Sequence, residues 1–153
     1  MQRSRVPVVG LIGGIGSGKS SLANWISRHL RVLVIRGDEA GHRALERADD
    51  REGGIRRDRL AARVFGADEV SRRNRRDLEQ IVHPIIREDL RGQLEAGRND
   101  AELDLILLDA AVLLEAGWKE LCDAVVFVDT PLDQRQSRVK AGRGWAASEL
   151  SQR

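Results

Sequence analysis

The chain has 153 residues, 41% of them hydrophobic and 33% charged, which suits one folded domain with a real core and excludes a disordered or low-complexity protein. Its 26 Lys and Arg against 24 Asp and Glu leave a net charge of +2, too even a balance to indicate a nucleic-acid binder. A single cysteine, Cys122, rules out an intramolecular disulfide and a Cys-based zinc site, and the apolar run Val8 to Ile12 is too short to span a membrane.

Pro7 to Ile12 reads as a short buried strand of a parallel sheet. Six glycine-rich residues follow, and a helical pattern begins at Lys19, with Leu22, Ile26 and Leu30 four apart on one face and Trp25 expected in the core. Val32 to Ile35 is a second β-branched run, so the first 36 residues read as strand, loop, helix, strand: a βαβ unit. The middle is helical and highly charged. Short helices are expected over Glu39 to Ala48 and Arg59 to Phe65, separated by Gly53-Gly54. From Asn74 to Ala96 the positions Leu78, Ile81, Val82, Ile85, Ile86, Leu90 and Leu94 keep a helical period, which Pro84 should kink or divide. The arginines of Arg72 to Arg76 read as a solvated helical face, because no aromatic residue interleaves with them for base stacking. Leu103 to Asp109 and Ala124 to Asp129 are the third and fourth strands. Thr130-Pro131 then starts a last helix, with a capping hydroxyl and proline at the first helical position. Strands alternating with helices predict an α/β fold with a parallel sheet covered on both faces.

Gly13-Gly14-Ile15-Gly16-Ser17-Gly18-Lys19-Ser20 matches G-x-x-x-x-G-K-[ST], between a strand and a helix as that motif requires. Glycines let the backbone N–H groups turn inward and, with the helix N-terminus behind them, cradle phosphates. Lys19 can reach the β and γ phosphates, and Ser20 is placed to ligate Mg²⁺. Residues Gly13 to Ser21 are therefore the expected nucleotide-binding segment. The dinucleotide fingerprint G-x-G-x-x-G fails, since starting at Gly14 it needs glycine where Lys19 stands. No N-K-x-D guanine-reading segment is present, which excludes a regulatory GTPase.

Val9 to Ser20 resembles the opening of dephospho-CoA kinases, V-G-L-T-G-G-I-G-S-G-K-S. Arg36-Gly37-Asp38-Glu39-Ala40-Gly41-His42 is similar to that family's D-A-D-x-x-A-H, with arginine replacing the first aspartate. His83-Pro84-Ile85-Ile86-Arg87 resembles its H-P-x-I-R. Asp109 to Gly117 resembles its D-x-P-L-L-x-E-x-G, with alanine for proline. The four segments keep their order over almost the whole chain.

The resemblance implies a three-layer P-loop fold: one kinase domain with a helical acceptor-side region over 36–100 and a lid over 131–153. It implies transfer of the ATP γ-phosphoryl group to the 3′-hydroxyl of dephospho-CoA, the last step of coenzyme A synthesis. Asp38 would be the general base, Lys19, Arg138 and Arg143 would neutralise charge, and His42, His83 and Arg87 would bind the acceptor. ATP and Mg²⁺ are the expected cofactors. The expected partners are small molecules, with no nucleic acid or membrane, for a cytoplasmic monomer or weak homo-oligomer. The residues leave alternatives open: Asp38 and Asp109 as helix caps, the histidines as packed or surface groups, and Asp109 as orienting Mg²⁺ waters. The chain departs from the family in a shortened interval, Ala48 to Ile55, on the acceptor side, and in an expected missing last strand after the point matching Arg153. Another small-metabolite or nucleoside kinase, and a non-catalytic ATP-binding remnant, are the alternative functions.

Overall fold

A computed structural model describes residues 5–49, 63–64, 66 and 68–143. In chain order the elements are β1 (Val8–Ile12), α1 (Lys19–Ile26), β2 (Val32–Arg36), α2 (Gly37–Asp49), α3 (Glu69–Arg98), β3 (Leu105–Asp109), a 3-10 turn (Trp118–Leu121), β4 (Ala124–Phe127) and α4 (Leu132–Arg143). They form two compact units: the chain up to Arg36 together with Leu94 onward, and Gly37–Gln93. The helix expected at Arg59 to Phe65 and the shortened interval fall mostly outside the described residues; within the former, 63–64 are helical.

In the first unit all four strands are parallel, in the order β2-β3-β1-β4. Period-two alternation sends Val9, Leu11, Val32, Val34, Leu105 and Leu107 to one face, where Leu22, Ala23 and Ile26 of α1 meet them. The opposite face is built on Val8, Ile35, Ile106 and Leu108, all buried, and is covered in part by the segment after β3. A Cβ on Gly10 would stand 2.8 Å from Leu113 Cδ1 and 3.0 Å from Cys122 Sγ, so this glycine lets that segment press onto the central strand. Leu113 and Trp118, each at most 1% exposed, are the large side chains it brings. Full burial of a side chain such as Leu113 contributes roughly 1.5–3 kcal/mol.

α1 is shorter than its apolar spacing suggested. It stops at Ile26, and the amides of His29 and Leu30 turn back to the Ile26 carbonyl. Leu30 is 46% exposed and Trp25 59% exposed, its ring against His29 at a centroid separation of 4.3 Å. Trp25 is thus not a core residue: Leu22, Ala23 and Ile26 already fill the side of α1 that meets the sheet. Arg31 then anchors the start of β2, donating to Asp104 and Glu102.

At the same, amino end of the sheet, beside β1 and β4, Asp123 accepts the Val8 N–H at 2.7 Å and pairs with Arg98. The Val8 bond first, and Arg98 after it, hold its carboxyl below the usual aspartate range.

The second unit is helical. Asp68 caps α3, accepting the Ser71 N–H and hydroxyl at 2.9 and 2.7 Å. Pro84 neither ends nor divides α3, which runs continuously from Glu69 to Arg98. Proline's φ is compatible with a helix; what it costs is one hydrogen bond and a clash with the preceding turn, and here it stands on an exposed position. Arg43 of α2 donates Nε and Nη2 to Asp89 of α3, which also accepts from Gln93.

Candidate functional site

β1 lies between β3 and β4, and the chain passes to β2 on one side and to β4 on the other. Its carboxyl end is the topological switch point of the sheet, where α/β folds of this kind receive ligands. Residues 13–18 leave β1 there and enter α1. Gly13, Gly16 and Gly18 have φ of 152°, 76° and 99°, a backbone that side chains with a Cβ resist. The Ser17 amide bonds back to the Gly14 carbonyl at 3.0 Å and closes the turn.

α1 starts at Lys19 with Gly18 as its cap residue. No side chain caps it and its first turn holds no acid. Its leading N–H groups, which include those of Lys19, Ser20 and Ser21, therefore remain available to an anion, with the positive end of the helix dipole behind them. Lys19 Nζ donates to the Gly13 carbonyl at 2.9 Å, which folds the ammonium over the loop. Ile15 is half-buried, Ser17 is buried and Ser20 is exposed. No group of three or more His, Cys, Asp or Glu among the described residues could hold a metal ion. A lone exposed hydroxyl fits a Mg²⁺ that is carried mainly by nucleotide phosphates, the usual habit of that ion.

The loop is also gripped from behind. Thr130 Oγ1 donates to the Ser17 carbonyl at 2.8 Å and the Val128 N–H to the Ile12 carbonyl at 2.8 Å. Thr130 is therefore not the helix cap its position suggested; its hydroxyl is used on the loop, and α4 starts after Pro131 with the Arg135 amide bonded to the Pro131 carbonyl. Arg138, on α4, gives Nη1 to the carbonyls of Gly16 and Ser17 at 3.3 and 3.1 Å. Arg135 lies against Gly14 and Gly16, and Val139 against Gly16. Sequence reasoning missed Arg135, Val139 and this use of Thr130. The available signal was an arginine pair three apart, one helical face, directly after the strand next to β1. Arg143 ends α4, and its side chain lies outside what the structure describes, as do residues 144–153 of the expected lid.

The remaining predicted residues stand as follows. Arg36 and Asp109 are register partners at the carboxyl ends of β2 and β3. Asp38, in the second unit, is the second residue of α2; its carboxylate is exposed and makes no hydrogen bond or ion pair among the described residues, so it is not acting as a cap. His42, one turn later, bonds through Nδ1 to the Asp38 carbonyl at 2.8 Å. A carbonyl only accepts, so Nδ1 is the donor in this bond, on an exposed side chain. His83 and Arg87 are half-buried and one turn apart on α3. Within this unit, the Arg43–Asp89 pair and the approach of Gly41 to Ile86 bring α2 against the same stretch of α3. In the Arg72 to Arg76 run, Arg75 donates to the Val64 carbonyl.

The family model and the curated relatives agree with one another. A family model described as dephospho-CoA kinase matches residues 46–153. A dephospho-CoA kinase of Corynebacterium diphtheriae is 36% identical over 152 residues, covering 90% of this chain and 73% of that one. Another, of Porphyromonas gingivalis, is 35% identical over 95% of this chain and 74% of its own. Among solved structures, one from Thermus thermophilus superposes with a TM-score of 0.79 at 29% identity, over 97% of this chain and 78% of that one. A shikimate kinase from Acinetobacter baumannii shares the fold, with a TM-score of 0.51 at 15% identity over 97% of this chain and 74% of that one.

Proposed function

The chain belongs to the dephospho-CoA kinase family, and from that premise we propose that it transfers the γ-phosphoryl group of ATP to the 3′-hydroxyl of dephospho-CoA, giving CoA and ADP. The observation that carries the reading is the loop after β1: three glycines at positive φ, an uncapped helix N-terminus without an acid, and Lys19 folded over the loop.

Phosphoryl transfer asks a protein mainly for positioning and charge neutralisation. The N–H groups of Gly13 to Ser21 would wrap the phosphates. Lys19 would exchange the Gly13 carbonyl for a phosphate oxygen, a short move that replaces a neutral acceptor with a charged one. Mg²⁺ would be held by the Ser20 hydroxyl and the nucleotide, and when bound it neutralises charge on the phosphates. Arg138 would add positive charge at the loop, and Arg143, five residues further along α4, would add to it. Asp38 would accept the proton of the attacking hydroxyl; its exposed carboxylate, free of partners among the described residues, favours that role over capping. His42, through Nε2, with His83 and Arg87, would hold the acceptor.

The test is purified protein with Mg-ATP and dephospho-CoA, scored for CoA. Formation of CoA that falls by about 10²–10⁴ in Asp38→Asn, the range for a lost general base, supports both the reaction and the base. Nucleotide binding with no CoA formed would refute the proposed reaction and favour a non-catalytic remnant.

A further inference from the structure

Gly14 holds the second position of the loop, yet its backbone does not demand glycine, since it is not among the residues at positive φ. What an added side chain would meet there is the guanidinium end of Arg135, which would have to move off the loop. A Cβ on Gly14 would overlap the Arg135 Nη1 and would stand 2.9 Å from Cζ and 3.6 Å from Cδ, so the arginine runs along this residue through much of its length. The same residue presses its backbone on the loop: a Cβ on Gly16 would meet the Arg135 carbonyl oxygen at 2.8 Å and its Cα at 3.3 Å. Its Nε is buried without a hydrogen-bond partner among the described residues. The contact therefore places a guanidinium against the loop with part of its donor capacity unused.

We propose that Arg135 is a positioning residue for the nucleotide-binding loop, and that Gly14 is glycine to make room for it. The inference rests on the reading of this loop as the seat of ATP phosphates. A side chain packed along the loop, on a helix whose backbone presses on Gly16, favours the binding arrangement of the loop's N–H groups before the ligand arrives, which lowers the ordering cost of binding. Its charge adds to that of Lys19 and Arg138 in attracting an anion. Arg135 and Gly14 then form one unit, and substitutions at the two positions must be non-additive.

The experiment is a double-mutant cycle read by calorimetric titration with Mg-ADP, on wild type, Arg135→Ala, Arg135→Lys, Gly14→Ala and the double variant Gly14→Ala/Arg135→Ala. Arg135→Ala should weaken binding roughly three- to tenfold, the worth of one well-placed polar contact, and Arg135→Lys should fall between it and wild type. Gly14→Ala, which displaces the guanidinium, should weaken binding by up to as much in the wild-type background and have no further effect once Arg135 is alanine. Equal effects of Gly14→Ala in both backgrounds, or wild-type affinity in Arg135→Ala, would overturn the proposal while leaving the nucleotide reading intact. Failure of the wild-type chain to bind Mg-ADP would overturn both. For a variant too unstable to titrate, the same cycle is read on thermal midpoints: Gly14→Ala should lower the midpoint only when Arg135 is present, and equal lowering in both backgrounds refutes the coupling.

Discussion

Replacing Gly16 by alanine tests the built geometry of the loop most directly. At φ of 76° an alanine carries the left-handed penalty, about 1–2 kcal/mol. The added methyl would also stand 2.8 Å from the Arg135 carbonyl and 2.9 Å from Val139 Cγ2. A carbonyl in a helix cannot rotate aside, so the loop or α4 must shift, at a cost of the order of 1–3 kcal/mol for overpacking. The two effects together reach roughly 2–5 kcal/mol. For a chain of this size each kcal/mol lowers the thermal midpoint by about 2–4 °C, so Gly16→Ala should melt several degrees lower and bind Mg-ADP more weakly. Gly92→Ala is the internal control. Gly92 lies in α3, takes no positive φ and has nothing within 4 Å of an added Cβ, so the same chemical change there should stabilise by about 0.5–1 kcal/mol through helix propensity. Thermal unfolding and titration on the two variants decide the matter. A Gly16→Ala chain with unchanged midpoint and unchanged affinity would refute the loop geometry from which these numbers are built.

Lys19→Met should lower kcat/KM for ATP by about 10²–10³, the scale of a lost charge stabiliser at a reacting phosphate, while stability changes by no more than about 1 kcal/mol, the net worth of its bond to Gly13; activity within a few fold of wild type contradicts the assignment. Asp123, held below the usual aspartate range chiefly by the Val8 N–H, contributes stability that is fully present above the unfolded value near 3.9 and is lost as pH falls through its folded value. Urea unfolding from about pH 6 to about pH 3 should therefore show wild type losing more stability than Asp123→Asn over the acid end of that range; parallel curves for the two chains refute it. Burial first, and Asp123 second, push the Cys122 thiol up to about 11. At pH 8 only ~10⁻³ of it is thiolate, so iodoacetamide should label the native chain at least ~100-fold more slowly than the unfolded one, as followed by mass spectrometry; equal rates would contradict the burial.

Much of the site was legible because its signals are local. The strand before the loop, the glycine spacing, Lys19 and Ser20, and the βαβ unit all follow from apolar runs and from residue types whose backbone or charge is needed at a fixed offset. The same holds for the third strand, whose continuous apolar run marks burial on both faces; the fourth was legible as a strand from its apolar run, but Val126 and Phe127 stand exposed on it. Errors arose where a neighbour in space overrides a periodic pattern. Leu30 keeps the four-residue spacing of Leu22 and Ile26, yet α1 ends before it, and Trp25 is displaced outward because three smaller side chains already fill the inner face. Pro84 looked like a boundary, but it occupies an exposed position in a helix long enough to keep its register across one missing bond.

The chain alone thus determined the phosphate cradle, the parallel sheet and the family, since each depends on residues close in sequence or on order along it. Only the tertiary structure decided what stands behind the cradle. Thr130, Arg135 and Arg138 meet Ser17, Gly14 and Gly16 across more than a hundred residues, because β4 is placed beside β1 and delivers α4 to the loop. Such contacts follow from strand order, and no local pattern of charge or hydropathy encodes which of several arginines the sheet will bring there.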